Sequence, residues 1–276
     1  NIIRPKFHWS TTLTMSHNDQ MVDDIGSEDF ISAYNSPGNN PYMMYGYVKG
    51  YPLNSLWGFK YGGTWKNAEE RAENKITKTY VSPSNSDGGP RYYDINHDGV
   101  MSKEDLIYQG NADPYLYGGL QNTFYIYGLK VGVYFAYSLG GKIYNYSEIY
   151  MAGSQFSNQY RYMLDAWHPV RNPDSDIPRA GAKSDAALPS DFMIHDASYL
   201  RLKNVTLSYT FDLRKKCSWL KDLTLSVSGE NLYLWKKYNG FDPDVSSEGT
   251  SSTLRRMDLG AYPKPRTIIF SLQLRY

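Results

Sequence analysis

The last eleven residues of the chain alternate with period two. In 266–276, RTIIFSLQLRY, Ile268, Phe270, Leu272, Leu274 and Tyr276 share one face. Thr267, Ser271, Gln273 and Arg275 share the other, with Ile269 the apolar exception. Alternation of this kind predicts a strand with two unlike faces. Upstream, 116–142, LYGGLQNTFYIYGLKVGVYFAYSLGGK, reads as two strands joined by a turn at Tyr127-Gly128. The second sets Leu129, Val131, Val133, Phe135 and Tyr137 against Gly132, Tyr134, Ala136 and Ser138. Val205, Leu207, Tyr209 and Phe211 alternate with Asn204, Thr206, Ser208 and Thr210. After a basic turn, Leu223, Leu225 and Val227 oppose Thr224, Ser226 and Ser228. Near the start, Trp9, Thr11, Leu13 and Met15 alternate with Ser10, Thr12 and Thr14. A seventh strand is expected between Tyr42 and Lys60. A short helix is expected in 154–169, SQFSNQYRYMLDAWHP, stopping before Pro169.

The connections carry further information. Short turns are expected after residues 18, 127 and 211, the first followed by a longer polar stretch, and long polar connections over about 61–115, 139–197 and 236–264. Strands of ~10 residues with unequal connections at their two ends are the pattern of an outer-membrane barrel. A soluble sandwich would place turn signals every ~8–12 residues. The fold class expected is therefore all-β, an antiparallel up-and-down transmembrane β-barrel portion with long external loops. If the last strand ends on the short-turn side, the first also runs toward that side, and seven strands result. Single-chain bacterial barrels have even strand numbers, so seven reads as the C-terminal part of a larger barrel.

Composition narrows the choices. The 276 residues hold 29 Lys and Arg against 28 Asp and Glu, a net charge of +1, which gives no electrostatic reason to expect nucleic acid as a partner. Aromatic residues make up 16% of the chain, 27 of them Tyr, an abundance suited to carbohydrate-binding surfaces and to the interface belts of membrane barrels. Cys217 is the single cysteine, so no disulfide forms within the chain. No run approaches the ~18 apolar residues of a membrane helix, and no signal peptide opens the chain. A mean hydropathy of −0.57 is compatible with a barrel, whose strands are apolar only at alternate positions.

One stretch carries metal-binding chemistry. In DINHDGVMSKED, 94–105, Asp94, Asn96, Asp98, Ser102 and Asp105 stand at positions 1, 3, 5, 9 and 12 of an EF-hand-type loop. Gly99 supplies the sharp turn at position 6, and the Val100 carbonyl would be the ligand at position 7. Ca²⁺ suits this all-oxygen set. Asp in place of Glu at position 12 shortens the closing reach and weakens the site. The loop stands alone, without flanking amphipathic helices, so it reads as a structural clamp in an external loop rather than a sensor. An Asx-rich turn without metal is the other reading.

Catalytic signals are missing. His8, His17, His97, His168 and His195 are scattered, no HExxH or GxSxG occurs, and SLGGK at 138–142 lacks the rest of a phosphate loop. Asp196 and Ser198 near His195 make no convincing triad. The chain is read as no enzyme. Trp57, Trp65, Trp167 and Tyr238 fall in or beside the long connections, where they would stack on sugar rings or pack the loops together. Asp242 and Asp244, in YNGFDPDV, are candidates for shaping a substrate cavity or meeting a lid partner.

Four segments taken together resemble the C-terminal barrel portion of the SusC/RagA-type TonB-dependent transporters. They are DINHDGVMSKEDLIYQGNADPYLYGGLQNTFYI, DASYLRLKNVTLSYTF, GENLYLWKKYNGFDPDV and YPKPRTIIFSLQLRY, in the family's order. The resemblance implies a 22-stranded barrel in the outer membrane of a Gram-negative bacterium. It also implies uptake of glycans or peptides, a SusD-like surface lipoprotein closing over the barrel, and a plug and a TonB-contacting segment outside the stretch at hand. Phe270, Leu272, Leu274 and Tyr276 would then be the signal read by the barrel-assembly machinery. The residues alone leave two rivals open, a secreted calcium-stabilised β-rich glycan-binding module and a soluble β-rich hydrolase.

Overall fold

The structure, a computed structural model, describes residues 1–4, 6–32, 45–73, 75–76, 78–79, 86–151, 158–180, 188–214, 219–247 and 255–276. Cys217 and residues 154–157 of the expected helix lie outside these. Within the rest of that stretch, Arg161–Asp165 forms a 3₁₀ turn that ends well before Pro169.

Seven strands form one antiparallel sheet: β1 (Ile2–Arg4), β2 (Phe7–Ser16), β3 (Leu116–Ile126), β4 (Leu129–Leu139), β5 (Tyr199–Asp212), β6 (Asp222–Lys236) and β7 (Thr267–Arg275). Each pairs with its neighbour in the chain, so the sheet is a pure meander. The register aligns a single row of apolar side chains across six strands: Trp9, Phe124, Val131, Leu207, Val227 and Phe270. One residue away lies a row of small or polar side chains, Ser10, Thr123, Gly132, Thr206 and Ser228.

The membership of the sheet differs from expectation in one strand. Ile2–Arg4 is in it, and residues 45–60 of the stretch between Tyr42 and Lys60 are not, residues 42–44 lying outside the described residues. Gly46–Tyr47 pairs with Ile31–Ser32, and Ser55–Gly58 pairs with Ile107–Asn111. The reason is burial. Ser55, Leu56, Trp57 and Gly58 are buried on both faces, an arrangement a one-sided wall strand cannot offer. Nor does a short turn follow residue 18. β2 pairs directly with β3, and residues 17–115 make one long connection between them.

The three long connections, 17–115, 140–198 and 237–266, join at one end of the sheet as a second layer. Among the described residues, every buried apolar side chain lies in this layer, from Leu56, Phe59 and Met101 to Ile143, Tyr144 and Met257. The wall has the opposite character. Phe270 is 80% exposed, Met15 64% and Leu272 63%. An apolar face left outside the core of a well-packed molecule fits contact with lipid rather than water. Aromatic pairs mark both ends of that face, Tyr233 against Trp235 at 4.6 Å toward the layer and Tyr209 against Phe211 at 4.6 Å toward the short turns.

A bulge in β5 joins wall to layer. Lys203 is an extra residue relative to β4, so the pairing shifts between Tyr134↔Asn204 and Phe135↔Leu202. A one-residue shift exchanges the two faces of a strand. Below the bulge the odd positions Val205, Leu207 and Tyr209 face outward. Above it Arg201 faces inward opposite Ala136, where it is 4% exposed.

Candidate functional site

The inner face of the wall and the layer meet around a cavity of about 980 Å³, within the size range of small-ligand sites, roughly 300–1,000 Å³. The wall contributes Thr14, Ser16, Tyr117, Tyr134, Ala136, Ser138 and Tyr199. The layer contributes Asn18, Ala112, Asp113, Pro114, Asp244, Val245, Ser246, Arg255 and Arg256. Gly118 also lines it, at a position where the adjacent strand leaves no room for a side chain. A Cβ there would collide with the Thr14 carbonyl of the adjacent strand and come within 2.9 Å of the Tyr137 hydroxyl.

The carboxylates lining the cavity, Asp113 and Asp244, are each paired. Arg255 Nη1 donates to Asp113 Oδ1 at 3.0 Å, and Asn54 Nδ2 donates to Asp113 Oδ2 at 2.6 Å. Asp244 pairs with Lys264. Behind this rim, Arg201 Nη2 donates to Asp242 Oδ1 at 2.6 Å, both side chains at most 5% exposed. Asp242 Oδ1 also accepts from the Asp244 N–H at 2.9 Å, fixing the turn that presents Asp244. Tyr238 donates its hydroxyl to Asp258 Oδ2 at 2.7 Å. Burial, with that carboxylate beside it, pushes the Tyr238 hydroxyl far above its ordinary pKa, so it stays a donor. Arg256 donates to Ser138 Oγ at 2.7 Å and to the Gly140 carbonyl at 3.3 Å. Burial pulls its pKa below the usual guanidinium range.

With this geometry in hand, known proteins provide the context. The TonB-dependent receptor P26 of Formosa agariphila is 31% identical over 287 residues, an alignment covering all of this chain and 28% of that protein. TonB-dependent receptor P3 of the same organism is 28% identical over 284 residues, and the TonB-dependent receptor SusC of Bacteroides thetaiotaomicron is 25% identical over 284 residues. The chain belongs to the SusC/RagA-type TonB-dependent receptors. No family model matches it. Among solved structures, the RagAB peptide transporter superposes with a TM-score of 0.71 at 19% identity, covering 99% of this chain and 28% of that one, which shows the shared fold. The RagAB peptide importer in its closed-closed state superposes with a TM-score of 0.70. The chain thus spans little more than a quarter of the length of the relatives it matches.

Against this receptor fold, the expected contact residues separate. Asp244 lines the cavity. Trp57, Trp65, Tyr238 and Asp242 are buried in the layer. Trp57 packs edge-on against Tyr51 at 4.8 Å and Phe30 at 5.9 Å. Trp65 carries the Arg91 guanidinium 5.1 Å from its ring. Trp167 is half-buried against Gly88, where a Cβ would strike its ring. These aromatics hold the layer together, and the cavity is lined instead by Tyr117, Tyr134 and Tyr199 of the wall. Sequence reasoning passed over Arg201, within a strand, and the adjacent Arg255 and Arg256, in a polar connection, because none of them stands in a motif. The grouping of His195, Asp196 and Ser198 is also structural. His195 Nε2 lies 2.9 Å from Glu148 Oε2, while Ser198 accepts from the Gly140 N–H and donates its own N–H to Asp196.

The loop at 94–105 is closed by bonds to its own backbone. Asp94 accepts from the N–H groups of His97 at 2.7 Å and Gly99 at 2.8 Å, and Asp98 accepts from the Val100 N–H at 2.7 Å. His97 and Gly99 both adopt positive φ, 62° and 80°, which makes the turn. Asp105 is fully buried, with Oδ1 accepting from the Ile95 N–H and Oδ2 from the Ser102 N–H. The donors match Ca²⁺ in kind. Among the described residues, however, no three acidic or histidine side chains converge on one point. An ion would have to use the second lone pairs of oxygens that already accept from amides.

Proposed function

We propose that the complete protein imports a glycan or an oligopeptide across the outer membrane by TonB-dependent transport. In this reading the chain forms part of the barrel wall and of the external layer roofing its mouth. The observation that carries the reading is the cavity between the inner wall and the layer, polar and aromatic in lining, set at the end of a sheet whose outer face is apolar. The names of the relatives agree with it. A SusD-like surface lipoprotein would close over the layer, the TonB complex would act through other parts of the receptor, and the bilayer would cover the outer face. Phe270, Leu272, Leu274 and Tyr276 would serve the barrel-assembly machinery as its recognition strand.

The test is uptake of a panel of labelled oligosaccharides and oligopeptides by cells with and without the complete receptor. Loss of uptake of at least one panel member on deletion is expected. Substituting Tyr134→Ala, with surface levels unchanged, is expected to lower that uptake several-fold. Equal uptake of the whole panel by both strains would remove the reading.

The clamp at 94–105 belongs to this proposal as a fastener of the external layer. Millimolar Ca²⁺ is expected to shift the rate of limited proteolysis in the 61–115 connection of the complete receptor several-fold downward, corresponding to about 1 kcal/mol of local stability. Asp94→Ala combined with Asp98→Ala should abolish the shift. A calorimetric titration without heat at that concentration counts against a metal at this loop and leaves the Asx turn as its whole structure.

A further inference from the structure

Arg256 stands apart from the other charges at the cavity. Asp113 is held by Arg255 and Asn54, and Asp244 by Lys264. Arg256 has two neutral acceptors, Ser138 Oγ and the Gly140 carbonyl; Asp113, Asp196 and Asp244 act on it from beyond ion-pairing distance, and among the described residues no carboxylate touches it. A guanidinium carries five N–H donors in a planar fork. A largely buried guanidinium whose direct partners are all neutral keeps donors for a charged acceptor in contact with it.

The backbone is also shaped to place this side chain. Arg256 has φ of 57°, a left-handed conformation uncommon outside glycine, and its carbonyl is held by the Tyr144 N–H at 3.0 Å. Opposite it, Gly140 and Gly141 both take positive φ, 74° and 77°. A Cβ on Gly141 would stand 2.5 Å from Arg256 Nη1, so the absent side chain is what admits the guanidinium. The SLGGK stretch, without meaning as a phosphate loop, thus acquires a role. Its serine and first glycine bond the arginine, and its second glycine makes room for it.

We propose that Arg256 is a carboxylate-binding residue of the cavity, so that the imported ligand presents a carboxylate there. This rests on the import reading above and adds the ligand's chemistry to it. A carboxylate offers two coplanar acceptors that match the guanidinium fork and supplies a counter-charge in direct contact with it. The neighbouring Tyr134 and Tyr199 rings give apolar faces for the body that bears it. Two sources share this chemistry, the uronate of an acidic oligosaccharide and the C terminus of an oligopeptide.

Calorimetric titration of the purified complete receptor in detergent, with its surface lipoprotein, separates the outcomes. The probes are tri-galacturonate and its methyl ester in one arm, and a pentapeptide and its C-terminal amide in the other. In at least one arm the acid is expected to bind about tenfold or more tightly than its neutral form, in line with a charge-assisted hydrogen bond. The arm that responds names the source. Arg256→Gln should erase the preference, and Arg256→Lys should restore part of it. Acid and neutral forms binding alike in both arms would overturn the proposal without needing any variant, as would an acid preference that survives Arg256→Gln. No binding in either arm also overturns it. Whether import itself then falls is read separately, from uptake by the deletion strain.

Discussion

Phe270→Arg in the complete receptor is expected to destabilise the barrel by about 1–3 kcal/mol, the cost of a cationic side chain on the lipid face between the bilayer midplane and the interface. Phe270 lies in the aligned row Val131, Leu207, Val227, Phe270 and is 80% exposed. That row lies in the outward band between the aromatic pairs, two residues from Tyr209 on the short-turn side and five from Leu202, the partner of Tyr233, on the other. The control is its neighbour. Ser271→Arg places the same charge on the inner face, where water solvates it, and is expected to cost well under half as much. Reversible unfolding from lipid vesicles, followed by the heat-dependent gel shift of barrels, reads both. Equal effects of the two substitutions would mean that the apolar face does not meet lipid. Because vesicles contain no assembly machinery, the same assay isolates the terminal signal. Deleting Tyr276 should leave vesicle folding nearly unchanged and lower the amount reaching the outer membrane in cells. Unchanged cellular levels would sink the assembly-signal reading.

Asp242→Ala should have an effect at least as large by a different route. It removes the close partner of Arg201, whose guanidinium is buried at the junction of wall and layer and keeps only Asp244, 3.9 Å away. Breaking a buried pair from one side leaves an uncompensated charge and costs about 3–5 kcal/mol. The damage should be local. Asp242 also fixes the turn carrying Asp244, so the 237–266 connection should become protease-sensitive while the wall strands keep their slow hydrogen exchange. Combining Arg201→Met with Asp242→Leu removes both charges and should recover much of the loss. A double variant as sensitive to protease as Asp242→Ala would show that packing, not charge, holds the junction. Either substitution should also disturb the cavity, since Asp244 lies on its rim.

Period-two alternation made the wall legible in advance. From Leu129 to Tyr137 and from Thr267 to Tyr276, each side chain's face follows from its position alone, because a strand offers only two directions. The turn at Tyr127-Gly128 and the division into long and short connections were legible for the same reason, although the turn after residue 18 does not exist. The stretch 42–60 misled because it contains local strand propensity. Leu56, Trp57 and Phe59 are apolar without alternation, and such a run fits a strand buried on both sides as well as a wall strand. Ile2–Arg4 was too short to register as a pattern, yet pairing with Phe7–Ser16 makes it a strand.

The candidate site was less legible. Aromatics in polar connections invite a ligand role, but Trp57, Trp65 and Tyr238 are large enough that the layer uses them as its own core. The loop at 94–105 was visible from its spacing, whereas the inward turn of Asp105 onto the Ile95 and Ser102 amides depends on the fold of the loop. The arginines gave no signal at all. Arg201 would face outward if β5 alternated without interruption, and the extra residue at Lys203 reverses it.

The sequence by itself determined the alternating strands, the identity of the two wall faces and membership of the receptor family, because these depend on local periodicity and on residues in order. Only the tertiary structure decided which segments join the wall, where the core lies, and which charges meet at the cavity. Those outcomes depend on register and on contacts between segments more than a hundred residues apart, such as Arg256 with Ser138. A bulge of one residue or a pair of glycines is enough to redirect them.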